Sequence, residues 1–189
     1  MKHIAFFLSA QEIDAKYSKP ALELIRLSVK SGYGFLYGGS QRGLMKQAAR
    51  EVKKLNGHIT AVTWTDFEKY VNRDAHKIHV AKNIPERIQM LLDKSDAIIA
   101  LPGGSGTLDE ITSIIEEKKL DLHQKPVILL NSYGFWDGLI TQYQRMFNEG
   151  FLPKKPEDLF YVSDKPEKII KYLKEKINIS SQGLLQELS

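Results

Sequence analysis

The residues best suited to chemistry lie in one glycine-rich segment, Leu101-Pro102-Gly103-Gly104-Ser105-Gly106-Thr107-Leu108-Asp109-Glu110. The segment follows the apolar run Ala97–Leu101, typical of a buried strand, and opens an amphipathic stretch that predicts a helix over 108–120. Glycines let the backbone approach a ligand closely, and a helix start offers unpaired N–H groups and a partial positive charge. The segment therefore predicts a site for a single phosphate, with the Glu110 carboxylate one turn away.

A second glycine loop, Gly38-Gly39-Ser40-Gln41-Arg42-Gly43-Leu44-Met45, also follows a predicted strand and opens a predicted helix. Two such junctions in one sheet are expected to place two sets of backbone amides on the same edge. Neither loop has the lysine of the nucleoside triphosphate loop, and neither matches the dinucleotide pattern G-x-G-x-x-G cleanly. We therefore expect a phosphate held by amides, without a metal or a cofactor.

Glu110 has two interpretations at this stage. Thr107-Leu108-Asp109-Glu110 fits a capping box, with Thr107 as N-cap and Glu110 reaching back to its amide. Arg87 favours a functional role, because a cation in the first turn of a predicted helix opposes the helix dipole at a cost of about 0.3–1 kcal/mol. Either Glu86 offsets that charge, or Arg87 points into the cleft toward the phosphate or toward Glu110.

Apolar runs alternate with amphipathic stretches along the whole chain, which predicts an α/β fold. We expect a single Rossmann-like domain over 1–178, with a mostly parallel sheet of about seven strands, helices on both faces, and a C-terminal tail over 179–189. Gly32, Gly57 and Gly150 are expected at helix C-termini. The predicted strands are 3–9, 35–37, 58–62, 77–80, 97–101, 127–131 and 159–162; the predicted helices are 20–31, 44–56, 85–95, 108–120, 134–148 and 166–176.

Composition limits the class of protein. Of 189 residues, 42% are hydrophobic, enough for one compact core, and no window approaches the length of a membrane span. The absence of cysteine excludes disulfides and thiolate chemistry and fits a cytoplasmic location. The net charge of +4 mildly favours anionic ligands but is too dispersed to indicate nucleic-acid binding. His76 and His79 lack neighbouring ligands for a metal, and Trp64 and Trp136 are expected to pack against other residues rather than to stack on a base.

Taken together, the motifs resemble those of the LOG (Lonely Guy) proteins, cytokinin riboside 5′-monophosphate phosphoribohydrolases that are often mislabelled lysine decarboxylases. The match runs from about Phe6 to about Lys174. Its order and spacing are carried by Gly38-Gly39-x-x-x-Gly43-Leu44-Met45, Glu86-Arg87 and Pro102-Gly103-Gly104-x-Gly106-Thr107-x-x-Glu110.

The resemblance implies hydrolysis of the N-glycosidic bond of a purine nucleoside 5′-monophosphate, giving an adenine-type base and ribose 5-phosphate. It also implies a homodimer with the site near the subunit interface. Arg87 and Glu110 match the catalytic pair. The matching nucleotide-binding positions are Gly103, Gly104, Gly106 and Thr107 in the phosphate loop, and Gly39, Gly43 and Met45 in the second loop. Ser105, between two of these positions, is also expected to bind the nucleotide.

The chain departs from the family pattern in places. Leu8-Ser9-Ala10 replaces Cys-Gly-Ser after the first strand, Ala61-Val62-Thr63-Trp64 replaces Gly-Val-x-Pro after the third, and Ser105 stands where an aromatic residue is frequent. These differences predict altered base recognition and dimer contacts.

Other functions stay open from the residues alone. A non-catalytic nucleotide sensor could use the same loops. A lysine decarboxylase would need a lysine that holds pyridoxal phosphate, and the nearest lysine, Lys46, only follows the first loop. A DNA-binding or scaffold role rests on the mild basicity alone.

Overall fold

A single seven-stranded sheet forms the centre of the protein, in a computed structural model that describes residues 1–186. The strands are β1 His3–Phe7, β2 Gly34–Tyr37, β3 Ile59–Trp64, β4 Lys77–Ala81, β5 Ala97–Ala100, β6 Val127–Leu130 and β7 Tyr161–Ser163. Their order is β4-β3-β2-β1-β5-β6-β7, and every neighbouring pair runs parallel. The predicted Rossmann-like α/β fold is confirmed.

Helices cover both faces of this sheet. They are α1 Ala15–Lys30, α2 Gly43–Lys54, α3 Ile84–Asp93, α4 Ser105–Lys119, α5 Asp137–Asn148, α6 Pro156–Leu159 and α7 Pro166–Gln186, with 3-10 turns at Thr65–Tyr70 and Ser132–Gly134. Successive strand residues point to opposite faces, so Ile4 and Phe6 pack with α1, α2 and α7, whereas Ala5 and Phe7 pack with α3, α4 and α5. Burial on both faces explains why the strands are continuous apolar runs rather than alternating ones.

The chain order places a crevice at the middle of the sheet. β1 pairs with β2 on one side and with β5 on the other, and the chain builds outward in both directions from this central position. The connections that leave the carboxyl ends of β1 and β5 therefore diverge, which is where ligands bind in open parallel sheets. Both glycine loops follow strands that end at this edge, β2 and β5.

Local corrections concern the starts of two helices. α1 begins at Ala15 rather than Pro20, because the Asp14 side chain accepts a hydrogen bond from the Lys16 amide and so caps a helix that contains Pro20. α5 begins at Asp137 rather than Gly134, because Tyr133 (φ 55°) and Gly134 (φ 69°) adopt left-handed conformations that interrupt helical hydrogen bonding.

Further corrections concern helix ends and the last strand. The left-handed residue after α2 is Asn56 (φ 53°) rather than Gly57, whereas Gly32 and Gly150 occupy the expected positions with positive φ. β7 begins at Tyr161, because Pro156–Leu159 forms a helical turn where the strand was expected to start. α7 continues beyond Lys176 to Gln186, and residues 187–189 of the expected tail lie outside the described residues. Within the described part of the chain, no helix combines the length and apolarity needed to cross a membrane.

Gly43 is expected to be essential for this fold. It has a φ of 49°, and a Cβ atom added there would lie 2.2 Å from the carbonyl oxygen of Gln11. Gly43→Ala should lower the free energy of unfolding by at least about 2 kcal/mol, measured by urea denaturation with circular dichroism.

The matched control is Gly138→Ala in α5, where an added Cβ meets no atom within 4 Å. This variant should gain about 0.5–1 kcal/mol, because alanine restricts the unfolded chain without strain in the helix. Equal stability of Gly43→Ala and the parent protein would contradict the proposed backbone constraint.

Candidate active site

A cavity of about 440 Å³ opens at the carboxyl edge of the sheet, where the fold predicts a ligand site. Its wall combines the end of β3 and the segments that follow β1, β2, β3 and β5 with the first turns of α2 and α3 and the first two turns of α4. Leu8, Ser9 and Ala10, the segment that departs from the family pattern, are part of this wall. Residues far apart in the sequence therefore meet around one cavity.

Arg87 and Glu110 form a buried ion pair in the wall of the cavity. Nη1 of Arg87 donates to Oε1 of Glu110 over 2.6 Å, and Nε of Arg87 donates to the Val62 carbonyl oxygen over 3.0 Å. The side chains are only 12% and 8% exposed. Of the two partners expected for Arg87 in the cleft, a phosphate and Glu110, the structure therefore shows the contact with Glu110.

Glu86 does not offset the charge of Arg87. Its carboxylate accepts a hydrogen bond from the Lys82 amide, and its own amide donates to the Asn83 side chain, which caps α3. The Asn83 side chain thus caps α3, and the capping box expected at Thr107–Glu110 is wrong, because the Glu110 carboxylate pairs with Arg87 instead. The N-cap of α4 is Gly104, so Glu110 lies in the second turn, where it can face Arg87 across the cavity wall.

The surroundings of Glu110 shift its proton affinity. Burial raises the pKa of Glu110, because a carboxylate loses the solvation of water, and the positive charge and hydrogen bond of Arg87 offset part of that rise. A carboxylate with a raised pKa, held in a cavity beside one defined cation, is typical of a group that exchanges protons during a reaction. Glu110 is thus suited to act as a base or as an electrostatic group.

The start of α4 offers backbone donors to the same cavity. The first amide with an intrahelical acceptor is that of Leu108, which donates to Gly104 over 3.0 Å. Within the described residues, the amides of Ser105, Gly106 and Thr107 have no acceptor, and the first turn contains no acidic side chain. Gly103 lies outside the wall, packed against Thr107, whereas Gly104 and the three following residues line the cavity. This arrangement suits an anion.

The first glycine loop has a different role from the predicted one. The α2 amides of Leu44 and Met45 donate to Gln11 and Ser9, so this helix start does not supply a second set of free donors. Met45 lines the cavity, whereas Gly39 and Gly43 lie outside its wall and shape the loop.

Gly38 was not among the predicted site residues, yet the ion pair depends on it. A Cβ atom at position 38 would lie 2.2 Å from Nη2 of Arg87, so the absent side chain provides the space for the guanidinium. The pair Gly38-Gly39 after a strand was the available signal. It could not distinguish a glycine needed for a turn from one needed for a neighbouring side chain.

Seven further wall residues were also missed: Gln11, Ser40, Arg42, Thr63, Trp64, Phe67 and Tyr70. Trp136 is buried, and Trp64 packs against the Phe67 ring while it also lines the cavity. The sequence held a signal here. Aromatic residues at intervals of three match the three residues per turn of a 3-10 helix and so share one face.

The described residues give little support for a metal site or for a pyridoxal phosphate site. Among them, no three His, Cys, Asp or Glu side chains lie close enough to hold a metal ion. The wall of the described cavity includes no lysine, and Lys46 is exposed outside it. A lysine that could hold pyridoxal phosphate is therefore missing from this wall.

Removing Arg87 should make stability depend on pH. In Arg87→Met, the pKa of Glu110 should rise further, because the buried carboxylate loses its cation. The variant should then be less stable than the parent protein by about 3–5 kcal/mol at pH 8 and by less at pH 5. The difference shrinks because Glu110 of the variant is increasingly protonated as the pH falls toward the ordinary pKa of a glutamate.

The measurement is urea denaturation at both pH values, with Arg26→Met as the control. Arg26 pairs with Glu23 and Glu51 at the surface, so its loss should cost about 1 kcal/mol or less. A deficit in Arg87→Met that is equal at pH 5 and pH 8 would contradict the assignment.

Comparison with known proteins places this site in a family context. Residues 43–173 match the model of the family described as possible lysine decarboxylase. The chain is 30% identical over 165 residues to a probable cytokinin riboside 5′-monophosphate phosphoribohydrolase of Oryza sativa subsp. japonica. The matched region covers 86% of this chain and 73% of the relative. It is 29% identical over 159 residues to a cytokinin riboside 5′-monophosphate phosphoribohydrolase of Arabidopsis thaliana, covering 83% and 70%.

Solved structures share the fold. A molybdenum cofactor binding protein from Rippkaea orientalis superposes with a TM-score of 0.70 at 23% identity, covering 93% of this chain and 97% of that one. The molybdenum cofactor carrier protein of Chlamydomonas reinhardtii gives 0.66 at 18% identity, covering 92% and 96%. The family model matches most of the chain, and the curated relatives carry the name to which the glycine-loop motifs pointed. The chain therefore belongs to the possible lysine decarboxylase family, that is, the LOG family.

Proposed function

We propose that this protein hydrolyses the N-glycosidic bond of a purine nucleoside 5′-monophosphate and releases the free base and ribose 5-phosphate. The observation that carries the proposal is the buried Arg87–Glu110 pair, which lines the same cavity as the unpartnered amides at the start of α4. The names of the curated relatives support this reaction. An adenine-type base, with cytokinin nucleotides as one example, is the substrate class proposed here.

The 5′-phosphate binds at the start of α4. The amides of Ser105, Gly106 and Thr107 donate to its oxygens, and the helix dipole stabilises its negative charge. The phosphate then fixes the ribose relative to Glu110. This use of a remote group to position the reacting atoms explains why the substrate is a nucleotide rather than a nucleoside.

Glu110 acts on the ribose. Cleavage of the bond between C1′ and the base nitrogen builds positive charge on the sugar ring, and a carboxylate nearby stabilises that charge. Water adds its oxygen to C1′ and passes a proton to Glu110, and the base leaves with the electron pair of the broken bond. The base takes up one proton from solvent, and Glu110 releases its proton to solvent, so that one water is consumed in each cycle. Arg87 orients Glu110 and favours its ionised form.

Replacing the carboxylate should remove activity without unfolding the protein. Glu110→Gln keeps the size of the side chain but cannot accept the proton, so release of adenine from AMP should fall by about two to four orders of magnitude. Chromatography of base and ribose 5-phosphate measures the rate, and circular dichroism verifies the fold. Glu116→Gln, an exposed change on the same helix, is the control and should keep full activity.

Full hydrolysis by Glu110→Gln would contradict the assignment. Binding of AMP by the parent protein without any product would instead favour the nucleotide sensor.

The phosphate site can be tested by charge. An added Cβ at Gly106 meets no atom within 4 Å, so both Gly106→Asp and Gly106→Asn fit the helix start. Gly106→Asp should raise the KM for AMP at least about tenfold, because its carboxylate repels the phosphate among the same amides. Gly106→Asn, which adds the same bulk without charge, should have a much smaller effect. Equal effects of the two variants would place the phosphate elsewhere.

We also propose that the protein works in the cytoplasm as a homodimer. The LOG resemblance supports the dimer, and the lack of cysteine fits a reducing compartment. Neither was tested by the fold, so both stay predictions.

A further inference from the structure

Three aromatic side chains form a continuous surface on one wall of the cavity. We define the aromatic wall as Trp64, at the end of β3, and Phe67 and Tyr70, in the 3-10 turn Thr65–Tyr70. The rings of Trp64 and Phe67 stack with centroids 5.3 Å apart, and those of Phe67 and Tyr70 meet edge to face at 5.8 Å. All three residues line the cavity.

Packing in the protein core does not explain this surface. No residue of the turn Thr65–Tyr70 is buried, and the Phe67 side chain is 52% exposed. Neighbouring exposed aromatic rings retain apolar surface that a ligand can cover, and in a cavity they mark a binding region. The aromatic wall is therefore available to a ligand.

The turn that carries the aromatic wall is held at both ends. At its start, the Thr65 hydroxyl donates to the carbonyl of Ala81 over 3.1 Å. Just after its end, the Asn72 amide donates to the carbonyl of Gly39 over 2.7 Å, and the Gln41 side chain donates to the carbonyl of Val71 over 3.1 Å. The turn is thus joined to the first glycine loop, and a fixed surface costs little conformational entropy when a ligand binds.

Arg42 fixes the far end of the wall. Its guanidinium carbon lies 4.8 Å from the centroid of the Tyr70 ring, in the geometry of a cation–π contact. Arg42 therefore holds the last ring of the wall and also brings a positive charge to the cavity.

The aromatic wall begins next to the ion pair. Val62, whose carbonyl accepts the hydrogen bond of Arg87, lies two residues before Trp64 in β3, so the two side chains share one face of the sheet. The cavity consequently has a polar part with Glu110 and the α4 amides and an aromatic part beside it. A nucleotide is divided in the same way, since its phosphate and ribose are polar and its base is aromatic, with the ribose between phosphate and base.

We propose that the aromatic wall stacks against the base of the bound nucleotide and favours purines over pyrimidines. This inference rests on the proposed function and names residues for base selection. Stacking uses the π-face of the base, and the two fused rings of a purine offer more of it than a pyrimidine ring. Phe67, the central and most exposed ring of the three, makes the largest contribution.

Substitution of Phe67 tests the wall. Phe67→Ala should raise the KM for AMP by about 5- to 100-fold and that for CMP by less, so that the preference for the purine shrinks. The inhibition constant of ribose 5-phosphate, which has the phosphate and sugar but no base, should change less than twofold. Phe67→Tyr should restore binding of AMP. Phe151→Ala, which removes an aromatic ring that is 78% exposed outside the cavity wall, is the control and should leave all values unchanged.

An unchanged KM for AMP in Phe67→Ala, or an equal loss of AMP and ribose 5-phosphate affinity, would overturn the proposal. If the parent protein released no base from any nucleotide, the hydrolase assignment would fail. Equilibrium binding of AMP and ribose 5-phosphate to the same variants would then test separately whether the aromatic wall binds the base. Weaker binding of AMP alone in Phe67→Ala and in Trp64→Ala would support it. No binding of AMP to the parent protein would overturn it.

Discussion

The buried ion pair between Arg87 and Glu110 is the interaction on which the candidate site depends. Removing a carboxylate from water is costly, and the attraction of one cation compensates only when the geometry is close and the remaining donors are satisfied. Here the geometry is close, since Arg87 donates to Glu110 over 2.6 Å, and a second N–H group of Arg87 donates to the Val62 carbonyl. The pair therefore places a charged carboxylate where an apolar side chain would be the simpler choice for stability. Such a placement is typical of a functional group.

The two glycine loops have different structural roles around this ion pair. The loop before α4 leaves its amides unpaired and so provides donors for an anion. The loop before α2 uses its first amides on the segment after β1 and instead provides space, because Gly38 leaves room for the Arg87 guanidinium. One sequence motif, glycines between a strand and a helix, thus serves two physical purposes. Which purpose applies depends on whether the helix start faces the cavity or packs against another segment.

The same edge of the sheet also collects the aromatic wall, and its presence fits the departure from the family pattern after β3. A turn that carries two rings, Phe67 and Tyr70, continues from the end of β3 at Trp64, and hydrogen bonds to Ala81 and to the first glycine loop fix it. Strand, turn and loop therefore form one rigid surface beside the ion pair. In the proposed function, chemistry and selection of the ligand are separate, with Glu110 assigned to the sugar and the rings assigned to the base.

The parallel sheet, the seven strands and the edge at which the cavity opens were accessible from the sequence, because apolar runs and glycine junctions are local properties. The sequence placed the start of α1 five residues too late, because Pro20 resembles a helix start and only the Asp14 cap reveals the true one. It could not decide whether the Glu110 side chain caps α4 or faces Arg87. That decision required the position of Arg87, 23 residues away and on another helix, and the space above Gly38. Local sequence determined which elements form, whereas tertiary packing determined which side chains and amides remain free to face a ligand, because that depends on contacts between segments distant in the chain.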